Sequence, residues 1–445
     1  MHRPSWKATG ATIQSPTPTR KDDERCGEDG VKPRKSICII SFSPIAHDAR
    51  VLRQIKYLSP HYRLTVIGYG PPHPAYADNP DITWVALDKK PPASPPRLMT
   101  AWRNRDYANL KIASRIRNKA RAVITKAAWY FGFVVPQAYE LTYRFRRGWI
   151  HNAALARATE SPYDAYHAND WKALPVAAEA ARFNDARLVL DLHEYAPGQY
   201  EGRHFRMFDA RMISYILKKY APRVDASTTV ATLIAQRYRE RFHLHPVVVL
   251  SAPEWAEIPR RTIDPDNIKI IHHGIASKRR NPESMIETIA RCDRRYSLHF
   301  MLLENEYVNE LKRLAEVMAP GRVTFHKPVP PQDIVGTLAQ FDIGIFVVPP
   351  VTYNLHAVLP NKFFDFINAG LAVCIGPSPS MADMVHAHGL GTVGPTFSPE
   401  DIAGLINRTT PEEWQRMKDR SRTAAQTLNA QNEMAKVVKI YQDLL

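Results

Sequence analysis

The sequence predicts an α/β protein made of two doubly wound halves facing across a cleft, and three observations predict it. Short, nearly continuous apolar runs such as Ser36–Phe42 alternate with helical periodicity, the pattern of parallel strands buried on both faces. The alternation occurs twice, once on each side of a polar, proline-containing stretch that ends near Asn267. At 445 residues the chain exceeds what one core usually holds, while 44% hydrophobic and 23% charged residues are the proportions of a folded protein.

Taken in order, residues 1–35 carry Pro, Ser, Thr and charge with almost no apolar periodicity, which predicts disorder. Residues 36–260 make the first half. Its strands are expected at Ser36–Phe42, Tyr62–Gly68, Tyr163–Ala168, Ala186–Leu192, Ala226–Val230 and Pro246–Leu250, with helices at Asp48–Leu58 and Ala173–Phe183. Leu87–Pro96 reads as a proline-rich connection into a basic helical insert at about 97–150. Residues 266–425 make the second half, with strands at Ile268–His272, Leu298–Leu303, Val323–His326, Ile343–Val348 and Leu371–Ile375. Helices fall between them at Glu283–Cys292, Val308–Met318, Pro331–Ala339 and Asn361–Ala369. The stretch from Pro411 to Leu445 reads as helical, 426–445 being its final helix.

Composition excludes several classes. The longest apolar stretch, Ala127–Val135, has nine residues, well short of the roughly 20 that span a bilayer. The N-terminus shows scattered charge and no apolar core of a secretory signal. Cys26, Cys38, Cys292 and Cys374 lie far apart with no CxxC pair, so a cytosolic chain without disulfides or a zinc site is expected. The charge of +16 is uneven: Lys89–Ile150 holds 14 Lys/Arg against 2 Asp/Glu, a net +12.

The stretch LPNKFFDFINAGLAVCIG, beginning at Leu359, carries the most chemistry. It reads as a polar helix start, a glycine stop at Gly370 and a buried strand. A helix start beside a strand end suits phosphate and sugar hydroxyls. Other polar groups fall at strand ends: HDARVLRQ at 47–54, HAND at 167–170, DLHE at 191–194 and HHGIASKRRN at 272–281.

In that order and spacing, these segments resemble the nucleotide-sugar glycosyltransferases of the GT-B fold, in particular the retaining family 4 group, from about residue 36 to 445. The resemblance implies two Rossmann-like domains, the first for the acceptor and the second for the donor nucleotide, with the last helix crossing back onto the first. It implies that Asp365 takes the nucleotide ribose hydroxyls, and that Lys362 and Arg280 neutralise the diphosphate beside the Gly274 turn, with Asn361 at the helix start. Arg279 or Lys278 could replace Arg280 in that role. Relatives carry an acid where this chain has Ala357, which leaves Asn354 and His356 as the nearby polar groups. His193 corresponds to the family histidine that reaches the donor sugar and, with Asp170, is the expected catalytic group. Asn169, Glu194, Asp48 and Arg50 fall on the acceptor side. Base recognition is expected from the backbone around His326–Val329. No side-chain nucleophile, no metal and no cofactor beyond the sugar nucleotide are expected.

The basic segment has three readings. Ile112, Ile116, Ala120, Val123 and Ala127 share one helical face, Lys111, Arg115 and Lys119 another, with Lys126 near them and aromatic residues following. A solvated face, a nucleic-acid patch and a membrane-surface helix all accommodate this. The interleaved Trp102, Trp129, Tyr130, Phe131 and Phe133 favour an anionic membrane surface over nucleic acid. The expected protein is a cytoplasmic, peripherally bound glycosyltransferase of cell-surface polysaccharide or glycolipid synthesis, with a saccharide or lipid-linked acceptor. A nucleotide-sugar epimerase or hydrolase of the same fold is a rival, as is a non-catalytic basic scaffold.

Overall fold

Thirteen strands of the apolar runs assemble into two sheets, every described pairing parallel. The structure is a computed structural model that describes residues 34–88, 123, 127, 130–132, 134–357 and 359–445. Lys35–Leu445 forms one compact unit. The first sheet contains β1 (Ser36–Pro44), β2 (Arg63–Tyr69), β3 (Ile82–Leu87), β4 (Ala165–Asn169), β5 (Arg187–Leu192), β6 (Ala226–Thr229) and β7 (Val247–Val248), in the order β3-β2-β1-β4-β5-β6-β7. The second contains β8 (Ile268–Ile275), β9 (Tyr296–Leu303), β10 (Val323–His326), β11 (Ile343–Phe346), β12 (Ala372–Ile375) and β13 (Gly391–Val393), in the order β10-β9-β8-β11-β12-β13.

Both orders reverse once, between β1 and β4 in the first lobe and between β8 and β11 in the second. At such a reversal the flanking helices diverge and a crevice opens beyond the strands' C-terminal ends. The fold therefore selects Ser41–Pro44, Asn169, His272–Gly274 and Phe346 as crevice neighbours before any side chain is considered.

The central strands read as unbroken apolar runs because both faces are covered. Ile37, Ile39, Val66 and Val189 are fully buried on one face under Val51, Ile55 and Leu58 of the helix Ala49–Leu58. Each such side chain contributes about 1.5–3 kcal/mol over an exposed one. Asp48 starts that helix by accepting the backbone N–H groups of Arg50 and Val51.

The C-terminal helical stretch is two helices, Pro411–Ala425 and Ala430–Leu444, because Asn429 caps a new start by accepting the Asn432 N–H. Asn368 fixes the break by donating to the Leu428 carbonyl at 2.9 Å. The last helix packs on the first lobe: Met434, Val437 and Tyr441 join the core beneath the helix Ala49–Leu58. Tyr441 also meets His167 of β4 through a 2.6 Å hydrogen bond.

Other departures are local. The segment ahead of Leu87 contains β3, an edge strand with exposed positions that blur its apolar signal. The helices Ala210–Tyr220, Thr232–Phe242 and Pro399–Arg408, and the short strand β13, also lie outside the elements read from sequence. Residues 97–122 of the basic insert, with most of its expected cationic face, lie outside the described residues; the insert ends in the helix Ala138–Ala158. No described helix is long and apolar enough to cross a membrane.

Candidate active site

A cavity of about 770 Å³ opens where the two topological reversals face each other. Ser43, Pro44, Asp48, Arg50, Arg53, His193, Glu194 and Ser251 line it from the first lobe. The second lobe supplies His273, Gly274, Arg280, Asn354, Asn361, Lys362 and Asp365.

On the second-lobe side, β8 ends in His272-His273-Gly274, opposite the first turn of the helix Asn361–Asn368. His272 Nδ1 donates to the Ile345 carbonyl at 2.8 Å, which leaves Nε2 to accept the Lys362 ammonium at 3.1 Å. Burial first, and then the neighbouring Lys362, hold the His272 imidazole well below its usual range, so it stays neutral. Burial and the nearby Arg280 bring Lys362 down to about 7, while Asp365 partly counters them. One turn along, Asp365 lies 3.4 Å from His273 Nε2. Burial pushes its carboxyl up to about 7 against the pull of Arg53 and Lys362. His273 is driven down to about 3 by burial and Lys362.

Gly274 has φ +113°, and a Cβ there would sit 3.1 Å from the Lys362 Nζ. Gly274→Ala should therefore cost about 1–3 kcal/mol in urea unfolding through the forced left-handed backbone. It should also displace the Lys362 ammonium. Wild-type stability in this variant would show that the close approach has no consequence.

The three cations after β8 separate clearly. Lys278 pairs with Glu310 at 3.1 Å, and Arg279 lies over the Tyr200 ring at 5.3 Å. Arg280 alone of the three lines the cleft. Burial lowers its pKa, and Glu194 across the cleft works in the opposite sense.

The first-lobe side is organised by Asp191 at the end of β5, which is fully buried. Arg50 donates to both its carboxylate oxygens at 2.5 Å, Gln54 at 2.7 Å and Thr228 at 2.6 Å. His193 Nε2 stands 3.3 Å from the same carboxylate. Burial opposes charge on Asp191, yet Arg50 and His193 hold it well below the usual carboxylate range. His193 is raised: burial disfavours its cation, and Asp191 outweighs that. Asn169 is buried beside His193, with Oδ1 at 3.4 Å and an Nδ2 that has no partner among the described residues.

Asn354 joins the lobes. Its Oδ1 accepts the Tyr195 N–H at 2.9 Å and its Nδ2 donates to Glu194 at 3.1 Å. Burial, followed by Asp170, raises Glu194.

The cleft thus gathers Asp48, Arg50, His193, Glu194, Gly274, Arg280, Asn354, Asn361, Lys362 and Asp365. Asp48 is there as a helix cap and Arg50 as the partner of Asp191. Asp170 stays outside the lining, starting the helix Asp170–Phe183 with φ 66° and its carboxylate on the Trp171 N–H. Ala357 is fully buried and leaves its position without a polar group. His272, His273, Arg53 and Asp191 also belong to the site; the strand-end segments contain all four, but sequence alone assigns none of them a role of its own. A pair of histidines ending an apolar strand just before a glycine is the signal that would have found the first two. Among the described residues no three His, Cys, Asp or Glu side chains converge as metal ligands.

No protein-family model and no curated protein sequence matches the chain. Solved structures do. Anabaena HepE in complex with UDP and glucose is 15% identical with a TM-score of 0.61, over 92% of this chain and 100% of that one. Sucrose-phosphate synthase from Thermosynechococcus elongatus is 12% identical with a TM-score of 0.64, over 92% and 99%. WaaG, a glycosyltransferase involved in lipopolysaccharide biosynthesis, is 11% identical with a TM-score of 0.56, over 91% and 98%. At these identities the likeness is one of fold, and it gives this chain the GT-B fold of two Rossmann-like lobes.

Proposed function

We propose that the GT-B fold here serves a glycosyltransferase that moves a sugar from a nucleotide-diphosphate sugar to a saccharide or lipid-linked acceptor. One observation carries the reading: Lys362 and Arg280 share one wall of the cleft, with His193 and Glu194 on the other. Lys362 and Arg280 meet the diphosphate, Asp365 the ribose hydroxyls and His193 the donor sugar. HepE, solved with UDP and glucose, supports a sugar-nucleotide site in this fold.

The bond from the anomeric carbon to the diphosphate oxygen breaks, and the acceptor hydroxyl oxygen bonds to that carbon. Negative charge grows on the leaving diphosphate, where Lys362 and Arg280 stabilise it. The acceptor attacks on the face from which the diphosphate leaves and gives its proton to a diphosphate oxygen, so configuration is retained without a side-chain nucleophile. Asn354, bonded to both Tyr195 and Glu194, closes the cleft around the reactants. Exposed Phe131 and Val134, within the basic insert, support peripheral docking on an anionic membrane face.

Burial brings the Lys362 ammonium down, and the Asp365 carboxyl up, to about 7, which sets the pH dependence. A bound diphosphate favours the ammonium, so affinity falls as pH rises above about 7. Ribose hydroxyls favour the carboxylate, so affinity also falls as pH drops below about 7. UDP affinity should peak near neutrality; Lys362→Met should remove the alkaline limb and Asp365→Asn the acid limb. Calorimetric titration from pH 5.5 to 9 checks this, and identical profiles in all three proteins would contradict it.

The function itself is tested by incubating the chain with labelled nucleotide sugars and an acceptor extract. Label is expected in the acceptor. Label recovered only as free sugar or as an epimerised nucleotide sugar would show a hydrolase or epimerase instead.

A further inference from the structure

A second cavity, of about 410 Å³, lies in the first lobe along the same sheet edge as the cleft. Tyr69 closes β2, Trp171 follows β4, and Gln199 and Tyr200 follow β5, while the helix Ala138–Ala158 contributes Arg146 and Arg147. The segment from His193 to Tyr200 lines both cavities, with His193 and Glu194 in the cleft and Gln199 and Tyr200 here. The Tyr200 ring carries Arg279 of the second lobe at 5.3 Å, one residue from the cleft-lining Arg280. The two cavities share no lining residue; this segment and the Arg279–Tyr200 contact across the lobes link them.

Its walls combine aromatic faces with cations. Tyr200 is 41% exposed and offers a face against which a sugar ring can lie. Arg146 is engaged by Asp209 at 2.6 Å. The guanidinium of Arg147 lies 5.8 Å from the Trp171 ring, and among the described residues no carboxylate pairs with it. A guanidinium fork held over an indole is pre-organised for a carboxylate or phosphate. The lining also includes Phe205 and Asp209 from a single π-helical turn, Phe205–Asp209, a distortion that recurs at functional sites.

We infer that this cavity is the acceptor site and takes a sugar bearing a phosphate, diphosphate or carboxylate group, with the anion on Arg147 and the ring on Tyr200. The inference rests on the glycosyltransferase reading, and its test is arranged so that the two fail separately.

The full chain, saturated with UDP to fill the donor site, is titrated calorimetrically with four probes: glucose, glucose 1-phosphate, glucuronate and an alkyl-diphosphate-linked glucose. At least one anionic probe should bind about tenfold tighter than glucose, and the tightest identifies which anion is used. Arg147→Ala should remove that preference and Arg147→Lys should keep part of it, while UDP affinity stays at the wild-type value and reports an intact fold. Equal binding of glucose and all three anionic probes, no binding of any anionic probe, or an unchanged preference in Arg147→Ala would overturn the assignment. Failure of every nucleoside diphosphate to bind would count against the donor site, whatever the four probes do.

Discussion

Lys362→Ala should lower kcat/KM for the nucleotide sugar by about 10²–10³-fold, the loss typical of removing one preorganised donor from a developing oxyanion. The ammonium is buried, held by His272 Nε2 at 3.1 Å, and placed beside a glycine that leaves it room. Burial and Arg280 depress its pKa, so the cation is held at a cost that a bound diphosphate relieves. The variant should fold, because removing the lysine also removes that cost. Steady-state kinetics with urea unfolding as a control separates the two effects. Wild-type turnover in a folded Lys362→Ala protein would exclude the lysine from the reaction.

Asp191→Ala should cost about 3–5 kcal/mol of stability, since it strands the Arg50 guanidinium without its partner. Four donating side chains converge on this carboxylate, including the His193 imidazole that faces the cleft. The same change should release His193 from the cation-favouring carboxylate, so any part of the pH–rate profile set by His193, as distinct from the acid limb set by Asp365, should move to lower pH. A combined Asp191→Leu and Arg50→Met protein should recover much of the stability, because an apolar pair replaces a buried ion pair at little net cost. It should not recover the activity. Denaturant unfolding and pH–rate profiles of both proteins test this; a fully active double variant would reduce Asp191 to a structural ion pair.

The strands were legible wherever both faces are covered, as at Ile37–Ile40 and Ile268–Ile271, because an unbroken apolar run has few alternatives. The edge strands β3 and β13 were not, since partial exposure interrupts the run. The helix start at Asn361 and its lysine were readable from their own neighbourhood. What orients them was not: the Ile345 carbonyl that fixes the His272 tautomer lies 73 residues from it, and the Arg50–Asp191 pair spans 141. Asp48 shows the reverse limit. An acid just after a strand suits a substrate hydroxyl, yet the same position is also where a helix needs its cap. Asn354 likewise suited a sugar contact, whereas its amide is bonded across the cleft to Glu194 and Tyr195, 160 and 159 residues away.

The central claim is that the cleft between the lobes is a nucleoside-diphosphate site built on Lys362. It is tested most directly by titrating UDP and other nucleoside diphosphates calorimetrically into the full chain and into Lys362→Ala. The account predicts saturable one-site binding of at least one of them, weakened at least tenfold in the variant. Absence of binding by every nucleoside diphosphate, or equal affinity in the two proteins, would contradict it.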